Sequence, residues 1–95
     1  MLFHVTMDVR TPHGLDPAEL ERLHAQEHDR AAELQRAGRW VHLWRVVGRN
    51  ANVSIFRVDS PAELHAALES LPLFPFMEVT VTPLCRHPGA LHDIE

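Results

Sequence analysis

A carboxylate stands where an apolar side chain is expected. Wound at about 100° per residue, the segment after Asp16-Pro17 aligns Leu20, Leu23, Ala31 and Leu34 on a stripe roughly 80° wide, and Glu27 falls near its centre. His24 lies on the flank of that stripe and His28 near its edge, while Arg22, Gln26, Asp29, Glu33 and Arg36 form the solvated side. Burying a carboxylate among apolar groups is costly unless it is paired or neutralised, and desolvation raises its pKa. Two readings follow: a structural ion pair, with Arg45 or one of the histidines, or a general base in a pocket between helix and sheet, where a raised pKa suits proton transfer near neutrality. Arg45 repeats the anomaly on a strand, sharing a face with Val41, Leu43 and Val47. If helix and strand turn these faces to each other, the guanidinium either neutralises Glu27 or serves as a fixed clamp for a ligand carboxylate.

Other groups carry weaker signals. His24 and His28 have the i, i+4 spacing of a two-histidine metal edge, but polar residues beside a pocket show the same spacing, and no metal is expected. Cys85, the single cysteine, has only Arg86-His87 beside it and reads as a structural residue. Asn52 and Ser54 alternate with Ala51, Val53 and Ile55, so they either bond a small ligand or line a wet or intersubunit face. No phosphate loop, dinucleotide fingerprint or nucleophile elbow occurs.

The elements that must position these residues follow from pattern and punctuation. Phe3, Val5, Met7 and Val9 alternate with His4, Thr6, Asp8 and Arg10 as a half-buried strand, closed by Thr11-Pro12-His13-Gly14. Asp16-Pro17-Ala18-Glu19 opens a helix that runs to Gly38. Strands are expected over 40–47 and 51–58, joined at Gly48-Arg49-Asn50. Ser60-Pro61-Ala62-Glu63 starts a second helix, which Pro72 and Pro75 end, and a strand over 77–82 precedes an irregular tail from Pro83. The order βαββαβ, with two near-identical helix starts, predicts one α+β domain over residues 1–95: a ferredoxin-like sandwich with a four-stranded antiparallel sheet, of the dimeric α/β-barrel type. Its uncovered face would carry His4, Thr6, Asp8, His42, Trp44, Glu78 and Thr80.

Ninety-five residues without an intrachain disulfide make a small core, for which oligomerisation is the usual remedy. Nine basic against thirteen acidic residues argue against nucleic-acid binding, and no apolar run reaches the length of a membrane span. The N-terminus lacks the pattern of a secretory signal, so a cytoplasmic protein is expected. Eight histidines and no tyrosine are further oddities of composition.

In order and spacing, Met1-Leu2-Phe3-His4-Val5, His42-Leu43-Trp44-Arg45, Ala51-Asn52-Val53-Ser54-Ile55-Phe56, Leu71-Pro72-Leu73-Phe74-Pro75 and Leu84-Cys85-Arg86-His87-Pro88 resemble the muconolactone Δ-isomerase family of bacterial aromatic catabolism. The resemblance runs from residue 1 to about residue 93. It implies a ferredoxin-like protomer in a homo-oligomer, typically a decamer, with residues 83–95 packing on a neighbouring subunit. No metal or organic cofactor is implied, and (+)-muconolactone is converted to 3-oxoadipate enol-lactone in the β-ketoadipate pathway. On this reading Glu27 shuttles the proton and Arg45 holds the substrate carboxylate. Asn52, Ser54 or His4 would stabilise the oxyanion, and Phe3 and Trp44 would wall the ring. The chain departs from the family pattern at His28, where lysine is common, and at Asn50 and Phe76, where tyrosines are common. These departures leave room for a related isomerase or dehalogenase acting on a methylated or chlorinated muconolactone, and a non-catalytic ligand-binding oligomer is the alternative of another class.

Overall fold

The computed structural model describes residues 1–11 and 13–92. Pro12, in the expected break after the first strand, and the last three positions of the expected tail lie outside the described residues. The elements follow in the order β1 (Leu2–Val9), α1 (Pro17–Arg36), β2 (Trp40–Arg45), β3 (Ala51–Arg57), α2 (Pro61–Glu69), a 3-10 turn (Phe74–Phe76) and β4 (Met77–Leu84). They form one antiparallel sheet in the order β2-β3-β1-β4 with the two helices, as the α+β sandwich reading requires.

Both helix starts are built as their sequences suggest. The Asp16 carboxylate accepts from the Ala18 N–H (3.1 Å), and the Ser60 hydroxyl accepts from the Glu63 N–H (3.1 Å), each ahead of a proline in the first turn. These caps satisfy backbone donors that have no partner within the helix. Gly38 follows the end of α1 at φ 75°, the left-handed geometry that lets the chain turn back into β2.

The core lies between the helices and the inner sheet face. Phe3, Val5 and Met7 of β1 meet Phe56 of β3, Leu34 of α1, and Leu64, Leu68 and Leu71 in and after α2. Phe56 is fully buried and stacks on Trp40 with ring centroids 4.8 Å apart. Phe56→Ala should destabilise the chain by about 3–5 kcal/mol, read as a shift in the urea midpoint, because a close-packed core leaves the cavity unfilled. A change below about 1 kcal/mol would mean that the core repacks freely around the loss.

Three strand ends differ from expectation. β2 ends at Arg45, because the hairpin closes early through Val46 N–H to Ala51 C=O (3.0 Å), leaving Val47 94% exposed in the turn. β3 stops at Arg57. β4 runs on to Leu84, pairing Pro83 with Phe3 and Leu84 with Leu2; Pro83 is tolerated because β4 is an edge strand.

A register shift between Trp40 and His42 makes Val41 the extra residue of a bulge. Arg45 therefore shares its face with Leu43 and with Trp40, rather than with Val41 and Val47. The opposite face carries His4, Thr6, Asp8, His42, Trp44, Glu78 and Thr80, as the alternation predicts, joined by Val53 and Ile55. Trp44 stacks on His42 there (5.0 Å) and is 54% exposed.

Candidate active site

Between α1 and the β2–β3 end of the sheet lies a cavity of about 320 Å³, large enough for a small organic ligand. Helix α1 contributes His24, Glu27, His28 and Ala31, β2 contributes Trp40, Leu43 and Arg45, and the hairpin and β3 contribute Asn50, Ala51 and Asn52; Leu73 and Met77 close the side next to the 3-10 turn.

Glu27 is half-buried in this wall. One carboxylate oxygen accepts the backbone N–H of Leu73 at 2.9 Å. In the turn between α2 and β4, the N–H groups of Leu71, Phe74 and Phe76 bond to backbone carbonyls, and Pro72 has none; the Leu73 N–H is the donor turned to the helix. This gives a physical role to the Leu71-Pro72-Leu73-Phe74-Pro75 segment: it presents one amide to one carboxylate. Burial raises the Glu27 pKa from its ordinary value, against the downward pull of the Leu73 hydrogen bond and of the nearby His24 ring.

Arg45 does not form the ion pair that was one of the two expectations for Glu27. Its Nη1 donates to the Arg49 carbonyl (3.3 Å) and to Asn50 Oδ1 (3.4 Å). Both contacts are long, and Arg45 is exposed where it lines the cavity, with no further hydrogen bond from its guanidinium among the described residues. Asn50 is in turn tied to β1 through its amide and the Val9 carbonyl (3.2 Å). Asn52 is the cross-strand partner of Arg45. Its Oδ1 accepts from the Ser54 hydroxyl (2.8 Å), which directs the amide's donor side away from Ser54.

The structure thus brings Glu27, His28, Arg45 and Asn52 to one cavity. Ser54 is fully buried beneath it and acts on Asn52, not on the cavity. Phe3 is sealed in the core at 1% exposure, and His4 and Trp44 project from the other face of the sheet, where strand alternation puts them. Two lining groups escaped the sequence reading. Trp40 enters through the β2 bulge, which leaves no mark in the sequence, and the Leu73 amide belongs to backbone that no side-chain pattern reports. His24 and His28 line the same cavity, and no cluster of three or more potential metal-ligating side chains occurs among the described residues. Cys85 is exposed. No helix among the described residues is long and apolar enough to cross a membrane.

A small ferredoxin-like sandwich with a desolvated carboxylate and an open guanidinium in one cavity is the class of protein these features define. A family model described as muconolactone delta-isomerase matches residues 1–90. Muconolactone Delta-isomerase 2 of Acinetobacter lwoffii is 50% identical over 93 residues, covering 98% of this chain and 97% of that protein. The Muconolactone Delta-isomerase of Pseudomonas aeruginosa is 50% identical over 92 residues, covering 97% and 96%. A crystal structure of a muconolactone isomerase superposes with a TM-score of 0.91 at 50% identity, over 98% of this chain and 97% of that one. The chain belongs to the muconolactone delta-isomerase family.

Proposed function

We propose that this protein isomerises (+)-muconolactone to 3-oxoadipate enol-lactone in aromatic catabolism, with Glu27 as the group that moves the proton. The observation that carries the mechanism is the placement of Glu27: a half-buried carboxylate with a raised pKa, one oxygen held by Leu73, in a cavity that also holds a cationic side chain. The reaction needs that pairing. The ionised carboxylate takes the proton from the ring carbon bearing the carboxymethyl group, and the electrons of that C–H bond pass through the ring onto the lactone carbonyl oxygen as a dienolate. The resulting Glu27 carboxylic acid returns the proton to the carbon beside the carbonyl. No redox partner is needed, because bonds only exchange places.

Arg45 and Asn52, paired across β2 and β3, receive the substrate carboxylate at the open end of the cavity. His28 lines the same wall and adds a ring nitrogen within the cavity for the substrate. Neither a metal nor an organic cofactor enters these steps. The protomer works in the cytoplasm as part of a homo-oligomer, with ten copies the expectation from the family resemblance. Support for self-association comes from apolar groups left in the open, among them Trp44, Val81, Leu84 and Leu91. The chain is also extended, with a radius of gyration of 14.5 Å, against about 12.4 Å expected for its length.

A second reading, action on a methylated or chlorinated muconolactone, draws on Asn50 and His28, two departures from the family pattern that both line the cavity. One experiment addresses both readings: ultraviolet progress curves for the native protein on (+)-muconolactone and on its methyl- and chloro-substituted analogues. Fastest turnover of the unsubstituted lactone supports the first reading, and fastest turnover of an analogue supports the second. No turnover of any of them, with ligand binding retained, would leave a binding protein.

A further inference from the structure

Trp40 is placed oddly for a core residue. The residue is buried, at 4% relative exposure, and its ring stacks on Phe56 at 4.8 Å. Phenylalanine would fill that stack too. The indole brings one more group, the Nε1–H, and this is a buried side-chain polar atom without a hydrogen-bond partner among the described residues. Buried donors are almost always paired, and tryptophan is normally placed where its N–H finds an acceptor. Trp40 also lines the cavity that contains Glu27. Trp40 and Glu27 therefore line one cavity, in which Trp40 is buried while Arg45 is exposed.

We propose that the Trp40 indole N–H donates to the lactone carbonyl oxygen of the substrate and stabilises the dienolate that forms when Glu27 removes the proton. The inference rests on the isomerase reading above and adds a catalytic residue to it. The two ends of β2 divide the ligand between them. Arg45, its last residue, is charged and exposed and suits the full charge of the carboxylate. Trp40, its first, is neutral and buried and suits an oxygen that becomes charged only in the transition state. A neutral donor in a low-dielectric site contributes little to a ground-state carbonyl and much more to an oxyanion, which is the differential binding that accelerates a reaction. The nitrogen is covered in this conformation, so the indole or its cavity wall shifts slightly as the carbonyl seats. The donor changes no bond order. The proton travels on Glu27, and the electron pair reaches the oxygen and returns to the ring carbon.

The test compares the native protein with Trp40→Phe and with a chain carrying β-(3-benzothienyl)alanine at that one position, which keeps the bicyclic shape and replaces the N–H with sulfur. Turnover and KM on (+)-muconolactone are measured beside the melting temperature. A fall in kcat of roughly 10²-fold or more in both, with KM within a few-fold and the isostere melting near the native protein, is the expected result. Native-like kcat in the isostere overturns the proposal, whatever Trp40→Phe does to folding. So does a rise in KM with kcat unchanged, which would make the indole a packing or ground-state contact. If the native protein itself does not turn over the lactone, the isomerase reading fails, and this role fails with it.

Discussion

Glu27→Gln is expected to remove at least 10²-fold of turnover, and up to about 10⁴-fold, the range that a positioned acid–base group contributes. The substitution is nearly isosteric. The amide oxygen can still accept the Leu73 N–H that the carboxylate now holds at 2.9 Å, so the turn between α2 and β4 keeps its anchor. What disappears is the ability to take a proton. Stability should move the other way. Burial raises the folded-state pKa of Glu27, so between the ordinary glutamate value and this raised value the folded chain binds more protons than the unfolded one. Native stability therefore falls as pH rises through that window and stays lower above it. Glutamine has no such loss, so the melting temperature of Glu27→Gln relative to native should increase from acid to neutral pH.

The same carboxylate sets the acid limb of activity. Only its ionised form can accept the proton, so kcat/KM of the native protein should drop as pH falls through a value raised from that of an ordinary glutamate. Stopped assays across pH, with calorimetry of both proteins, check both halves of this expectation. Turnover that survives Glu27→Gln would remove Glu27 as the base and leave the family assignment intact.

Arg45→Gln should lower kcat/KM by roughly 10- to 150-fold, mainly through KM, as expected for the loss of a charge-assisted hydrogen bond of about 1.5–3 kcal/mol. The effect is smaller than for Glu27 because Arg45 is exposed and water competes for both partners. Arg45→Lys should recover only part of the loss, since a point charge cannot reproduce the two-pronged grip of guanidinium on carboxylate. Fold stability should change little: the Arg45 contacts to Arg49 and Asn50 are long and exposed. Raising the salt concentration should increase the native KM and have less effect on that of Arg45→Gln, because screening weakens only an interaction that is still present. An unchanged KM in Arg45→Gln would place the substrate carboxylate elsewhere, with His28 the next candidate on that wall.

Much of this protein is legible in its sequence because local rules and global packing agree. Helix caps at Asp16 and Ser60, alternation through β1, and the proline stop after α2 each act over a few residues and need no distant partner. The anomaly at Glu27 is equally local: 3.6-residue periodicity alone puts a carboxylate on an apolar stripe. Arg45 faces the cavity as expected because the part of β2 after the bulge keeps its alternation.

What tertiary structure decided depends on contacts between segments far apart in the chain. Simple alternation along β2 would put Trp40 with His42 and Trp44 on the outer face; one extra residue in the register reverses it and delivers the indole to the cavity. The hydrogen-bond partner of Glu27 comes from Leu73, 46 positions away, whose backbone amide holds the carboxylate while Arg45 turns to the hairpin. Ser54 became the support of Asn52 because pairing with Val5 turned it inward. Periodicity tells which way a side chain points along its own element, but a shift of one residue between elements changes what it meets, and only the assembled sheet determines that shift.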